Sequence, residues 1–137
     1  MDNKAIYQRF IDEAFNKGNL AVIDEIVAPD YVLNGAPPDM PQGPDAIRAS
    51  VSAFRSAFPD LQIALDALVA EGDTVSARST MRGTHEGNLF GTPPTHRKVA
   101  VEGLTMVTLK DGRLRESWVK NDVLDMYRQL GVDPPKM

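Results

Sequence analysis

The sequence predicts an α+β fold in which three N-terminal helices wrap a cone-shaped, curved antiparallel sheet of about four long strands, with a short C-terminal helix. Up to residue 58, apolar residues recur at spacings of three and four, which is typical of one side of a helix. From residue 61 they alternate with polar residues, which is typical of half-buried strands. Helices followed by a run of strands favour an α+β domain. A strongly curved sheet would enclose an internal pocket.

Three helices are predicted before residue 60. The first ends at Gly18, and Asn19 is placed to cap a short second helix that Pro29 ends. Residues 31–44 are predicted to form a loop, with a short strand at 31–33 as an option. Pro44 suits the first turn of the third helix. The apolar stripes of the first and third helices are Ile6, Tyr7, Phe10, Ile11, Ala14 and Phe15, and Ile47, Val51, Phe54 and Phe58.

Four strands and a last helix account for the remainder. Strict alternation over 61–69 predicts the first strand, and turns at 71–73 and 110–112 predict two hairpins. The second, third and fourth strands are placed at 74–84, 99–109 and 113–121, with a Gly- and Pro-rich loop between the second and third. The last helix follows and ends at Gly131.

Composition limits the classes of function. The chain has 137 residues, which suits a single domain over 1–137, and its net charge is −4 without a clustered basic face, so nucleic-acid binding is not expected. The absence of cysteine excludes disulfides, thiolate metal sites and a cysteine nucleophile. No apolar run approaches the ~20 residues of a membrane span, and the charged N-terminus does not resemble a signal peptide. We therefore expect a soluble, cytoplasmic protein.

A set of short motifs spans most of the chain. They are FPD at 58–60, EGDTV at 71–75, GTHEG at 83–87, GTPPT at 91–95, DGR at 111–113, ESW at 116–118, Asp122 and QLG at 129–131. In this order and spacing they resemble the SnoaL-like polyketide cyclases, also called ester cyclases. That family belongs to the nuclear-transport-factor-like (cystatin-like) cone superfamily, with ketosteroid isomerase and scytalone dehydratase as relatives.

The resemblance implies a reaction and a site. Asp122 would be the general acid/base that takes a proton from carbon beside a carbonyl, so that an intramolecular aldol closes a ring. No metal or organic cofactor is implied. The chain has Asn34 where the family often has a histidine in the early loop, and Lys120 where an apolar residue is common.

Trp118, Lys120 and Asp122 alternate along the fourth strand and should share one face. If that face lines the pocket, Trp118 is a wall and Asp122 a proton-transfer group in apolar surroundings, which would raise the pKa of its carboxyl. Alternatively, Asp122 only caps the last helix, since Asp125 follows three residues later. Trp118 would then be ordinary core. Lys120 is either a solvated edge residue or the buried partner of Asp122.

Other candidates also have two interpretations. His85 lies on the core-facing side of the second strand, as a substrate-carbonyl donor or as a turn histidine bonded to backbone. Asn34 is either a pocket donor or a loop residue with local turn chemistry. Phe54, Phe58 and Met106 are candidate pocket walls.

Three functions fit these observations. The first is a cofactor-independent cyclase, lyase or isomerase acting on a hydrophobic carbonyl compound that is polyketide-like or aromatic. The second is a non-catalytic small-molecule-binding or dimerisation module, and the third is a dehydratase or hydratase. Both faces of the third strand carry apolar residues, and relatives of this fold often pair sheet to sheet, so a homodimer is expected.

Overall fold

The computed structural model describes residues 2–36 and 38–134. Helix α1 (Asn3–Phe10) continues as a π-helical segment (Ile11–Asn16) and is followed by α2 (Ala21–Ile26). The other elements, in chain order, are β1 (Val27–Asn34), α3 (Pro44–Ala57), β2 (Gln62–Glu71), β3 (Thr74–Thr84), β4 (Lys98–Lys110), β5 (Arg113–Asn121) and α4 (Val123–Leu130). Pro37, in the predicted loop, and the two ends of the predicted 1–137 domain lie outside the described residues.

The described strands form one sheet in the order β1-β5-β4-β3-β2. Strands β2 to β5 are an antiparallel meander, which confirms the predicted α+β architecture and the predicted pairing of 99–109 with 113–121. The sequence predicted about four strands, whereas the described sheet has five. Strand β1 pairs in parallel with β5 and begins at Val27, so α2 ends at Ile26, before Pro29. A proline is tolerated there because β1 is an edge strand.

The core lies between the helices and the concave face of the sheet. One buried cluster joins α1, α2 and α3 to the sheet, with Tyr7, Phe10 and Ile23 among its members. A second cluster, at the α4 end, includes Phe58, Leu61 and Tyr127. Members of both clusters, such as Phe10 and Leu61, also line a cavity inside the fold.

Turn and cap residues fix where α3 and α4 end. Phe58 closes α3 and packs against β3 at Gly83, where an added Cβ would lie 2.8 Å from the Phe58 Cβ. Helix α4 ends at Gly131, which adopts a left-handed φ of 74° that favours glycine. The motifs FPD and GTHEG therefore join α3 to the end of β3.

Candidate functional site

A cavity of about 240 Å³ lies between the helices and the concave face of the sheet. Its walls are mainly apolar and come from every layer of the fold. Phe10 and Phe15 contribute from the first helical stretch, Ile47 and Phe54 from α3, and Met81 and Val107 from the sheet. Because mostly apolar residues surround this cavity, it favours an apolar small molecule as its ligand.

The polar groups in this cavity are uncharged. They are Tyr7, Tyr31, Ser50, Ser79, Thr105, Ser117 and Asn121. Among the described residues, no Asp, Glu, His, Lys or Arg lines the cavity. Hydroxyl and amide groups can hydrogen-bond a carbonyl oxygen of a ligand, but they do not supply a strong base at neutral pH.

The two tyrosines are held protonated by their surroundings. Burial raises the pKa of Tyr7 to about 12, although the Thr105 side chain hydrogen-bonds it and opposes the rise. Burial also raises the pKa of Tyr31, opposed in the same way by Ser117. Because desolvation disfavours the phenolate, both groups remain hydrogen-bond donors across the ordinary pH range.

A polar row crosses the sheet on the cavity side. Ser79, Gly103 and Asn121 are register partners on β3, β4 and β5. A Cβ on Gly103 would overlap the amide oxygen of Asn121, so the glycine makes the space in which that side chain lies. The row brings an amide and a hydroxyl to the same part of the cavity wall.

The predicted face of β5 is the wrong one. Trp118 and Lys120 do share a face, but it is the outer face of the sheet, where Trp118 is 40% exposed. Ser117, Val119 and Asn121 face the cavity instead. The ladder between β4 and β5 is irregular near Leu109. Glu116 and Leu114 are two residues apart on β5, but they pair with two adjacent residues of β4, Thr108 and Leu109. This irregularity lets both Leu114 and Ser117 point inward, and residue type alone did not indicate it.

Asp122 does not line the cavity, although it lies between two residues that do. Its side chain is exposed and accepts a hydrogen bond from the Asp125 amide at 3.1 Å, capping α4 as the alternative interpretation expected. Its two chain neighbours, Asn121 and Val123, both line the cavity. The backbone of Asp122 therefore passes beside the cavity, its carboxylate is not part of the lining, and its catalytic role stays a prediction.

His85 and Asn34 do not line the cavity either. His85 is fully buried beside Phe58, and its Nδ1 accepts the Thr95 amide at 3.1 Å, which anchors the loop after β3. Asn34 donates from Nδ2 to Glu116 at 2.9 Å and to the Ser117 carbonyl at 3.2 Å, which joins β1 to β5. Both side chains therefore make contacts that stabilise the fold, His85 in the loop after β3 and Asn34 between β1 and β5.

The three candidate walls lie in three different environments. Phe54 lines the cavity, as predicted. Phe58 is fully buried in the second core cluster, because it packs under the loop and against Gly83 rather than facing the open space. Met106 is 47% exposed on the outer face, paired with Trp118 across the strands. The prediction that Phe58 and Met106 line the pocket is therefore wrong.

Sequence reasoning missed the polar lining residues. Tyr7 was assigned only to a helical apolar stripe, and Ser117 and Asn121 were overlooked beside larger or charged neighbours. The sequence did contain a signal for them, because small polar residues such as Ser79 lie on a strand face whose other residues are typical of a core. Burying such a residue costs free energy unless its polar group hydrogen-bonds to a protein partner or to a ligand.

The described residues contain neither a metal-ligand cluster nor a membrane-spanning helix. No group of three or more His, Cys, Asp and Glu side chains is arranged to hold a metal ion. None of the described helices combines the length and the apolar character needed to cross a membrane.

The fold and cavity together define a cone-shaped protein with an apolar cavity between its helices and its curved sheet. Residues 5–130 match the SnoaL-like polyketide cyclase family, and the chain belongs to that family. This confirms the resemblance that the motifs indicated.

Named relatives agree with the family. The chain is 33% identical over 127 residues to the aklanonic acid methyl ester cyclase DauD of Streptomyces sp. (strain C5), covering 90% of this chain and 78% of the relative. It is 34% identical over 124 residues to the nogalonic acid methyl ester cyclase of Streptomyces nogalater, covering 88% and 91%. The solved structure of TsrD from Streptomyces laurentii superimposes with a TM-score of 0.86 at 30% identity, covering 96% and 98%.

Proposed function

We propose that the protein is a cofactor-independent cyclase that closes a ring in a hydrophobic, polyketide-like carbonyl compound. The observation that carries this proposal is the apolar cavity inside the fold, in which the polar lining groups among the described residues are all uncharged. Membership of the SnoaL-like polyketide cyclase family and the names of the two curated relatives support the choice of ring closure over other reactions.

The proposed reaction is an intramolecular aldol addition. A base takes a proton from carbon beside one carbonyl, the resulting enolate carbon attacks a second carbonyl, and the new alkoxide takes a proton. One C–C bond forms, one C=O π bond becomes a C–O single bond, and no atom is lost. Tyr7 and Tyr31, held protonated, would donate hydrogen bonds to the oxygen on which charge develops.

Asp122 is the proposed base. It is a carboxylate flanked by two cavity-lining residues, and one of its oxygens already accepts from the Asp125 amide. The other oxygen would act as general base on a substrate that extends past Asn121 and Val123.

The direct test uses the substrates named for the relatives. Purified protein would be incubated with nogalonic acid methyl ester or aklanonic acid methyl ester, with and without EDTA, and the products separated by chromatography with mass detection. We expect a product of unchanged mass and altered retention, formed equally well with EDTA. Absence of any such isomer from both esters and from other polyketide-like diketones would contradict cyclase activity.

A second candidate is a non-catalytic binding module of the same fold. The observation in its favour is that no charged side chain lines the cavity within the described residues, while Asp122 is occupied as a cap. This candidate predicts tight binding of the same esters without turnover, which equilibrium dialysis followed by mass detection would reveal.

We also propose that the protein forms a homodimer through the outer face of its sheet. Leu104, Met106 and Trp118 are neighbours on that face and are 61%, 47% and 40% exposed. Adjacent exposed apolar side chains of this size favour a protein partner, and a second copy of the chain offers the same surface.

A further inference from the structure

The loop between β3 and β4 carries a tight turn at its tip. Leu89 and Thr92 exchange two backbone hydrogen bonds of 2.9 Å, so Phe90 and Gly91 form a two-residue connection. Both central residues have positive φ, 48° for Phe90 and 92° for Gly91. Positive φ at both central positions is the pattern of a type I′ turn.

Phe90 is an unfavourable residue for its position. Type I′ turns prefer Asn-Gly or Asp-Gly, because asparagine and aspartate tolerate a left-handed φ and a bulky side chain does not. The turn itself therefore does not account for the phenylalanine. Residues that break a local rule are expected where function requires them.

The turn is held firmly against α3. The amides of Glu86 and Gly87 donate to the Ala57 carbonyl at 3.0 and 3.1 Å, and a Cβ on Gly87 would overlap the Ser56 carbonyl. Leu89 is buried in the second core cluster. The turn therefore holds Phe90 in place, so little conformational entropy would be lost when its ring contacts a ligand.

The Phe90 ring contacts a residue of the cavity wall. It makes an edge-to-face contact with Phe54, with ring centroids 6.0 Å apart and an interplanar angle of 84°. Phe54 lines the cavity, while Phe90 remains 64% exposed. The two rings therefore form a contacting aromatic pair, with one ring in the cavity wall and the other largely exposed.

The interior is too small for an extended polycyclic compound. A cavity of about 150 Å³ holds one benzene ring, so 240 Å³ holds roughly two fused rings. We propose that Phe90, with Phe54, forms an outer aromatic subsite that takes the rings of a planar polycyclic substrate that the cavity leaves outside. This assignment rests on the proposed function, because it presumes an aromatic, polyketide-like ligand.

The test compares a two-ring and a three-ring probe. Binding of 1-tetralone and of 1,8-dihydroxyanthraquinone would be measured by equilibrium dialysis for wild type, Phe90→Asn and Phe90→Tyr. Asparagine suits the turn, so Phe90→Asn should melt at or above the wild-type temperature while lacking the ring. Phe90→Tyr keeps an aromatic ring at the same place.

We expect Phe90→Asn to weaken anthraquinone binding roughly two- to tenfold, which is the range for the loss of one aromatic contact. The same variant should weaken tetralone binding by less than about twofold. Phe90→Tyr should stay within twofold of wild type on both probes. Equal losses on both probes, or no loss on either, would overturn the outer subsite while leaving the proposed function intact. Failure of the wild type to bind either probe would count against both proposals.

Discussion

Asp122 has two roles that a single substitution separates. Asparagine caps helices about as well as aspartate, so Asp122→Asn should leave the thermal midpoint nearly unchanged. An amide is not a general base, so turnover of a substrate identified for the wild type should fall by roughly a hundredfold or more. Thermal melts and initial rates on the same preparations measure the two effects.

The matched control is Asp125→Asn. Asp125 lies one turn further along the same helix, where its carboxylate accepts from Arg128 at 3.2 Å and from Gln129 at 2.7 Å and does not line the cavity. It should lose little activity. If the Asp122 variant keeps wild-type turnover, the carboxylate serves only as a cap and another group moves the proton.

Tyr7 predicts how stability depends on alkaline pH. Its pKa rises from 10.0 to about 12 on folding, so the folded state binds the phenolic proton more tightly than the unfolded state does. The corresponding stability is complete below pH 10 and is lost as pH rises from 10 towards 12. Wild type should therefore lose on the order of 2–3 kcal/mol of unfolding free energy across that range from this group alone.

Denaturant unfolding of wild type and Tyr7→Phe at pH 8 and pH 11 checks this dependence. Phenylalanine does not titrate, so the variant should lose less stability than the wild type between the two pH values. Parallel losses in the two proteins would show that Tyr7 is not the responsible group.

At the scale of elements, the pairing of β4 with β5 shapes the cavity wall. Gly103 leaves the space that the Asn121 amide occupies, and Gly103→Ala should displace that short side chain. Because the amide can rotate away, we expect a stability loss of about 1 kcal/mol, at the low end for an overpacked site. Affinity for 1-tetralone should fall as the polar row is broken.

A double-mutant cycle isolates this contact. Asn121→Ala removes the atom with which the new methyl group collides, so the double variant should be more stable than the sum of the single effects predicts, by at least about 0.5 kcal/mol. Simple additivity in thermal melts would indicate that the glycine is not needed to accommodate Asn121.

Elements were easier to predict from sequence than the direction in which their side chains point. The meander of β2 to β5 followed from alternation and turn residues, and α3 followed from its stripe. Strand β1 was largely missed because its parallel partner, β5, is about 85 residues away and leaves no local signal. Trp118 and Lys120 do share a face, as the alternation predicted, but Asp122 lies beyond the end of β5 as the cap of α4, and choosing the inner face required knowledge of the irregular β4–β5 ladder.

At the scale of the whole molecule, the sheet has an inner face that encloses the cavity and an outer face with exposed apolar residues. If the outer face pairs with a second copy, wild-type protein should sediment at twice the monomer mass at micromolar concentration. Leu104→Glu should sediment as a monomer, because each copy would place a charge in the interface.

Leu124→Glu is the matched control for the dimer. Leu124 is exposed to a similar extent, 60%, but lies on α4 rather than on the outer face of the sheet. This variant should remain dimeric. A wild-type monomer, or equal dissociation of both variants, would contradict pairing through the outer face.

The end of the π-helical segment has a consequence for how molecules of this protein behave at high concentration. The Asn16 side chain donates to the Ile63 carbonyl at 3.0 Å and accepts from the Ile63 amide at 2.6 Å. Strand β2 is at the edge of the sheet, and exposed edge backbone is where a strand from another molecule would add. By occupying both hydrogen-bonding groups of one edge residue, a single side-chain amide interrupts the template for fibrous aggregation.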